Sequence, residues 1–273
     1  MTLTNLTNKV CVVTGAGSGI GRATALAFAQ RGARVVACDI DRARIDTLAQ
    51  ELGPAALYTR AFDVADRAQF AAFADAVHAL APAVDVVVNN AGVAVGGLFL
   101  DTTLDDWDWL LGVNLRGVVH GCHFFLPKMV ARGAGGHIVN ISSIFGIYPA
   151  PQVTAYVASK FAVLGFSQSL RTEMAPHRIG VTAICPGMIA TEIITGGRMS
   201  GGVASRKDKM IAAFHKRGAP PSLVADTIVD ALRTNPTVRT VGRDAWAMHQ
   251  LTRLAPALAH RAGGAVAKMF NRR

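Results

Sequence analysis

The chain has 273 residues, of which 51% are hydrophobic and 17% charged. That composition supplies a large core and excludes a generally disordered chain, and the length suits one α/β domain better than two average ones. The formal charge of +10 would fit an acidic partner or surface, but the Lys and Arg residues are dispersed. With neither zinc-finger spacing nor RNP-like aromatics present, no nucleic-acid binding is expected.

In chain order, residues 9–14 form a short apolar run that reads as a buried parallel strand. A glycine-rich turn (Gly15 to Gly21) and a helix over 22–31 follow. Strand 33–38, helix 42–52, strand 56–61, helix 66–80 and strand 84–88 continue the alternation. A long helix is expected from the cap at Thr103 to residue 129, then strand 137–141, helix 154–174 and strand 180–185. Residues 192–217, rich in Gly, Met, Ile and Lys/Arg, read as a mobile segment with one short helix. Helix 222–233, capped by Ser222, and strand 238–241 close the pattern. Strands alternating with helices predict a single-domain, doubly wound Rossmann-type parallel sheet with helices on both faces.

Strand, glycine-rich turn and helix together offer backbone N–H groups and a helix N-terminus to a diphosphate. The strict Gly-x-Gly-x-x-Gly spacing fails, because Ile20 occupies its last position; Thr14-Gly15-x-x-x-Gly19-x-Gly21 stands instead. Asp39 ends the second strand, 24 positions after Gly15. There an acid accepts hydrogen bonds from adenosine ribose hydroxyls and repels a 2′-phosphate, while Asp41 is better placed to cap the next helix. Arg42 is the counter-argument, since an arginine beside the acid could receive a 2′-phosphate. NAD is therefore expected ahead of NADP. Asp63-Val64 and Asn89-Asn-Ala-Gly92 put further polar and glycine signals at the same sheet edge.

Tyr156 and Lys160 lie four apart on a helix and so share a face. A cation beside the phenol lowers its pKa from ~10 towards working pH. Ser143, at the end of the preceding strand, offers a hydroxyl to an alcohol or carbonyl oxygen. Neighbouring strand residues face opposite ways, so only one of Ser142 and Ser143 can reach the site. Parity alone does not say which. Asn114 shares a helix face with Trp107, Leu111 and Val118, and a buried amide there must find partners.

Taken together, Thr14-Gly-Ala-Gly-Ser-Gly-Ile-Gly21, Asn89-Asn-Ala-Gly92, Asn114, Ser143, Tyr156-x-x-x-Lys160 and Pro186-Gly187-x-x-x-Thr191 resemble the short-chain dehydrogenase/reductases over residues 7–242. The resemblance implies that Tyr156 is the general acid/base and that Ser143 positions the substrate oxygen. Lys160 would lower the tyrosine pKa and bind the nicotinamide ribose, and Asn114 would hold a water in a proton relay. The nucleotide would be held by Gly15, Gly17, Ser18, Gly19, Ile20 and Gly21, with Asp39 and Ile40. Asp63, Val64, Asn90, Ala91 and Gly92 would flank adenine and its ribose. Pro186, Gly187, Ile189 and Thr191 would surround the nicotinamide amide. The implied reaction is hydride transfer between NAD(H) and a secondary alcohol or ketone; a non-catalytic nucleotide-binding redox sensor is the alternative of another class. A homotetramer or homodimer is also implied.

The expected substrate pocket (Gly97, Phe99, Phe145, Tyr148, Met188 and Ile193) is mostly apolar and fits a steroid-, terpenoid-, retinoid- or acyl-like substrate. Arg198 or Arg206 would serve an anionic group if residues 192–217 fold over as a lid. Residues 243–273 form a basic extension, six Lys/Arg against one acid from Val241 onward. Ala247, Leu251, Leu254 and Leu258 recur in it at helical spacing. It suits docking on its own core or a neighbouring subunit, or peripheral contact with an anionic membrane. Cys11, Cys38, Cys122 and Cys185 lack ligand spacing and read as small core hydrophobes, so no metal and no disulfide is expected. With neither a signal peptide nor a run of about 18 apolar residues, the expected location is the cytoplasm.

Overall fold

The structure, a computed structural model, describes residues 2–257. Seven parallel strands form one sheet in the order β3-β2-β1-β4-β6-β7-β9. They are β1 (Val10–Thr14), β2 (Arg34–Asp39), β3 (Ala56–Ala61), β4 (Val86–Asn89), β6 (Gly136–Ile141), β7 (Ile179–Pro186) and β9 (Val238–Val241). The intervening helices are α1 (Gly19–Ala29), α2 (Arg42–Leu52), α3 (Arg67–Leu80), α4 (Leu104–Leu111), α5 (Gly117–Arg132), α6 (Thr154–Met174) and α9 (Pro221–Thr234).

Both sheet faces are covered, which is why the strands are apolar at successive positions rather than alternating. Cys11 and Val13 of β1 face a cluster with Phe28 of α1, Ile45 and Leu48 of α2, and Ile228 and Leu232 of α9. Val10 and Val12 face the opposite cluster, built on Phe70, Phe73, Phe125 and Met129 from α3 and α5. Chain order reverses between β1, which pairs with β2, and β4 on its other side. Open parallel sheets bind ligands outside the carboxyl ends of the strands at such a switch point.

All four cysteines are buried free thiols. Among the described residues no helix is long and apolar enough to cross a membrane, and no group of three or more His, Cys, Asp or Glu side chains converges on a metal position.

Three elements depart from expectation. The long helix after Thr103 is two helices joined by a π turn over Gly112–Arg116, where Gly112 and Gly117 let the chain close on Ala65 and Val64. Residues 192–217 carry more regular structure than the one short helix expected. They contain β8 (Arg198–Met199), paired in parallel with β5 (Val95–Gly96), and then α7 (Gly201–Ala204) and α8 (Lys207–Arg217). Helix α9 starts at Pro221, not after a Ser222 cap, because proline at the first helical position sacrifices an N–H that would be unpaired anyway.

The basic extension begins with α10 (Arg243–Leu254), which packs beside β9 and residues 144–146. The stripe expected to dock is only partly covered by the chain's own core, with Leu251 half-buried. Ala245 is buried, whereas Ala247 is exposed and Leu254 is 82% exposed. Leu258 lies outside the described residues.

Candidate active site

The turn after β1 is braced from within. Gly15 and Gly19 have φ of 62° and 51°, which favours glycine. The Thr14 hydroxyl accepts the N–H groups of Asn90 and Ala91, each at 3.0 Å, and Asn90 Nδ2 donates to the carbonyls of Thr14 and Gly15. A Cβ on Gly21 would sit 2.1 Å from the Gly15 carbonyl oxygen and 2.5 Å from Asn90 Nδ2. Asn90 is therefore a brace for the turn, with both amide hydrogens committed. The turn leads into α1, where Ser18 is the N-cap and its side chain makes no capping hydrogen bond. The first-turn N–H groups thus lack a side-chain cap, as suits a diphosphate.

Asp39 reaches across from β2, its carboxylate accepting the N–H of Gly17 at 2.8 Å and of Asp41 at 3.0 Å. Asp41 caps α2 through the Arg44 N–H. Arg42 does not face this region. It bonds Asp46 along its own helix at 2.9 and 2.8 Å. The arginine beside the turn is Arg44, whose Cβ lies 2.8 Å from where a Cβ on Gly17 would be. Ile40 is 72% exposed next to Asp39. Asp63 turns the chain by accepting the Ala65 N–H. Val64 and Ile189 are core residues, so their side chains are taken by packing and only their backbone is available to a nucleotide. The bridge between Ile189 and Ala219 runs through the Met188 carbonyl and the Ala190 N–H, leaving the polar groups of Ile189 unused by it. Thr191 lies against Gly19.

At the carboxyl end of β6 the two serines diverge. The Ser142 hydroxyl donates to the Lys160 carbonyl at 2.8 Å and ties β6 to α6. The Ser143 hydroxyl accepts the Phe145 N–H at 3.1 Å and interacts with the Tyr156 phenol. Lys160 is buried; its Nζ lies 5.6 Å from the centre of the Tyr156 ring and donates to the Ile141 carbonyl at 3.0 Å.

The electrostatic balance differs from the sequence expectation. Burial pushes the Tyr156 phenol up to about 12, against a smaller lowering by the Ser143 hydrogen bond. Burial also pulls the Lys160 ammonium down to about 8. At the phenol, without a bound nucleotide, desolvation outweighs the hydrogen bond from Ser143.

Asn114, fully buried in the π turn, accepts the Val93 N–H at 2.8 Å and donates to the Val93 carbonyl and the Ser159 hydroxyl. A Cβ on Gly92 would lie 3.4 Å from Asn114 Oδ1 and 3.5 Å from Lys160 Nζ, so the two flank Gly92. With both amide hydrogens and one oxygen lone pair committed, the Asn114 side chain has little left for a relay water.

Around this cluster, Phe145 stacks edge-on with Tyr156, with ring centres 6.3 Å apart. Tyr148 is buried, Ile193 half-buried, and Met188 is 37% exposed. Gly97 is filled by the Ser200 hydroxyl rather than open to a ligand, since a Cβ there would clash at 2.0 Å. Phe99 is exposed and meets Trp107 edge-on. Pro186 ends β7, Gly187 donates its N–H to the Val241 carbonyl at 2.8 Å, and Asp244 of α10 lies against Gly187 and accepts the Met188 N–H at 2.9 Å. Arg198 is committed to protein, ion-paired to Asp106 at 3.1 Å and set 4.1 Å over the Trp109 ring. It is not the anion receptor considered from sequence.

Sequence reasoning placed Thr14 in the glycine-turn motif without assigning its hydroxyl a role, and missed Ser159, Arg44 and Asp244. A hydroxyl ending the strand before a glycine turn is the signal for that bracing role; no spacing signal marks the other three.

A family model for short chain dehydrogenases matches residues 9–198. The chain belongs to that family. Its seven-stranded parallel sheet is the Rossmann-type sheet of that family. It is 40% identical over 278 residues to the putative oxidoreductase SadH of Mycobacterium tuberculosis, covering 98% of this chain and 99% of SadH. It is 42% identical over 252 residues to the probable oxidoreductase EphD of the same organism, covering 89% of this chain but only 43% of the length of EphD. Among solved structures, a short-chain dehydrogenase/reductase from Burkholderia phymatum in complex with NAD matches with a TM-score of 0.87 at 28% identity, covering 94% of this chain and 96% of that one.

Proposed function

We propose that this short-chain dehydrogenase is an NAD-dependent oxidoreductase for a hydrophobic secondary alcohol or its ketone. The observation that carries the reading is the grouping of Ser143, Tyr156 and Lys160 at the carboxyl end of β6, at the sheet edge where the glycine turn and Asp39 also lie. When bound, the nicotinamide supplies the acceptor or donor of hydride.

The chain's own residues supply the rest. Ser143 holds the substrate oxygen, and Tyr156 takes its proton on oxidation or returns it on reduction. Lys160 presents a cation to the ribose side and to the tyrosine ring, stabilising the phenolate. Asn114 fixes residue 93 against α6 and so holds the floor beneath Lys160. Asp39, at the end of β2, selects a free 2′-hydroxyl by repelling phosphate. A hydrophobic substrate is favoured by the rim, where Leu98, Phe99, Leu100 and Met188 are exposed and Arg198 is already paired. The assembly proposed is a homo-oligomer.

The test is thermal shift with NAD and NADP, followed by turnover assays on hydrophobic secondary alcohols with wild type and Tyr156→Phe. A ligand that binds only the folded state raises the melting temperature. The reading predicts a shift with NAD and turnover that Tyr156→Phe abolishes while the NAD shift persists. Undiminished turnover in the variant would overturn it.

A further inference from the structure

We propose that Glu192 sets the nucleotide preference by occupying Arg44. The inference deepens the nucleotide-site reading above and rests on it.

The glycine turn brings the relevant groups to one point. A Cβ added to Gly17 would lie 2.8 Å from both Asp39 Cγ and Arg44 Cβ, so the acid that addresses the ribose and this arginine are side by side. The guanidinium does not project freely into that space. Its Nη1 pairs with Glu192 Oε2 at 2.6 Å and its Nε with Asp41 Oδ2 at 3.1 Å. Glu192 directly follows Thr191, whose Cγ2 would meet a Cβ on Gly19 at 3.1 Å. The pair therefore spans from the first turn of α2 to the start of the 192–217 segment, alongside the glycine turn. Arg44 is 45% exposed and Glu192 51%, so the pair is open to exchange with a solvent-borne anion.

The charge logic follows. A 2′-phosphate arriving beside Asp39 needs a cation, and guanidinium is well suited to phosphate. In the wild-type arrangement it meets the carboxylates of Asp39, Asp41 and Glu192, with Arg44 already engaged by two of them. A free 2′-hydroxyl carries no charge and needs only Asp39. Replacing Glu192 with a neutral isostere releases one face of Arg44 and leaves Asp39 untouched. Arg42, turned along its own helix towards Asp46, does not enter this balance.

The experiment is titration of NAD and NADP into the full chain, by calorimetry, for wild type, Glu192→Gln, Arg44→Ala and the double variant. Expected are preference for NAD in wild type and about tenfold tighter NADP binding in Glu192→Gln, the size of one charge-assisted contact. NAD affinity should stay within about twofold, and the NADP gain should vanish in the double variant, as a double-mutant cycle requires of a coupled pair. A gain that persists without Arg44 would mean that Glu192 acts only through net charge, and would overturn the proposal. So would unchanged NADP affinity in Glu192→Gln with normal NAD binding. Failure of wild type to bind either nucleotide would overturn the nucleotide-site reading itself, and the inference with it.

Discussion

The Lys160 ammonium donates to the Ile141 carbonyl at 3.0 Å across 19 residues of sequence, so one side chain both faces the Tyr156 ring and fastens α6 to the end of β6. Burial lowers its pKa from 10.5 to about 8. Below pH 8 the lysine is protonated in both states, and folding carries the full cost of burying the charge. Between pH 8 and 10.5 the unfolded chain holds more protons, so stability rises with pH. Lys160→Met should remove that rise. Melting curves of the nucleotide-free protein should show the variant no less stable than wild type at pH 7, an advantage shrinking above pH 8, with turnover reduced by about a hundredfold or more. Burial of the four cysteines and of Tyr156 raises their pKa values and opposes this rise above about pH 9. The test is therefore the difference between wild type and variant; a difference that stays flat from pH 8 to 10.5 would contradict the assignment.

His137 predicts the acid limb. It is buried in β6, its Nε2 paired with the Thr182 hydroxyl at 2.9 Å, while Nδ1 has no hydrogen-bond partner among the described residues. Burial first, and then the positive charge of Arg171, lower its pKa from 6.5 to about 3. The folded state keeps the imidazole neutral while the unfolded state protonates it, so stability falls as pH drops from 6.5 towards 3. The loss should be on the order of a few kcal/mol. His137→Gln, which cannot titrate, should flatten this part of a urea-denaturation profile measured against pH.

Much of this arrangement was legible in the sequence, and the illegible parts share a cause. The strand–helix alternation was readable because apolar runs broken by glycine and polar turns carry their own periodicity. That only one of Ser142 and Ser143 can reach the site was readable because strand neighbours face opposite ways. The choice of Ser143 rests on its 13-residue spacing to Tyr156 in the family resemblance, and the two hydroxyls do diverge. The π turn around Asn114 was not, since it depends on Gly117 closing against Val64 from a distant part of the chain. Pairing of Val95–Gly96 with Arg198–Met199 is too short to leave a periodic trace. Which of Arg42 and Arg44 faces the glycine turn depends on helix phase relative to Gly17, which composition and spacing do not encode.

Gly146 joins the residues after Ser143 to α6 so closely that it tolerates no side chain. A Cβ there would lie 2.2 Å from the Ser142 hydroxyl oxygen and 2.6 Å from the Lys160 carbonyl oxygen. The second contact is backbone in the middle of a helix and cannot yield by a rotamer change. Gly146→Ala should destabilise the protein by about 1–3 kcal/mol. It should also break the Ser142–Lys160 bond, lowering turnover more than Gly165→Ala on the same helix, where an added Cβ meets nothing within 4 Å. Paired denaturation and rate measurements on the two variants separate the local effect from a general one.

Arg198 predicts how the 192–217 segment is anchored. It lies 4.1 Å over the Trp109 ring and 3.1 Å from Asp106, and Asp106 is itself fixed by the Thr103 capping box at the start of α4. The Arg198 hydrogen bond, after that from Thr103, helps hold the Asp106 carboxyl below its usual range. Cation–π attraction and a half-exposed ion pair together contribute about 1 kcal/mol, small against global stability but large for a segment whose helix α8 has no buried residue. Arg198→Ala should therefore leave the melting temperature nearly unchanged while raising hydrogen exchange in residues 193–217 severalfold, with KM rising more than kcat falls. Arg198→Lys should restore only part of the protection, because an ammonium keeps the charge but cannot stack flat on the indole. Equal exchange in wild type and Arg198→Ala would show that the segment is held by other contacts.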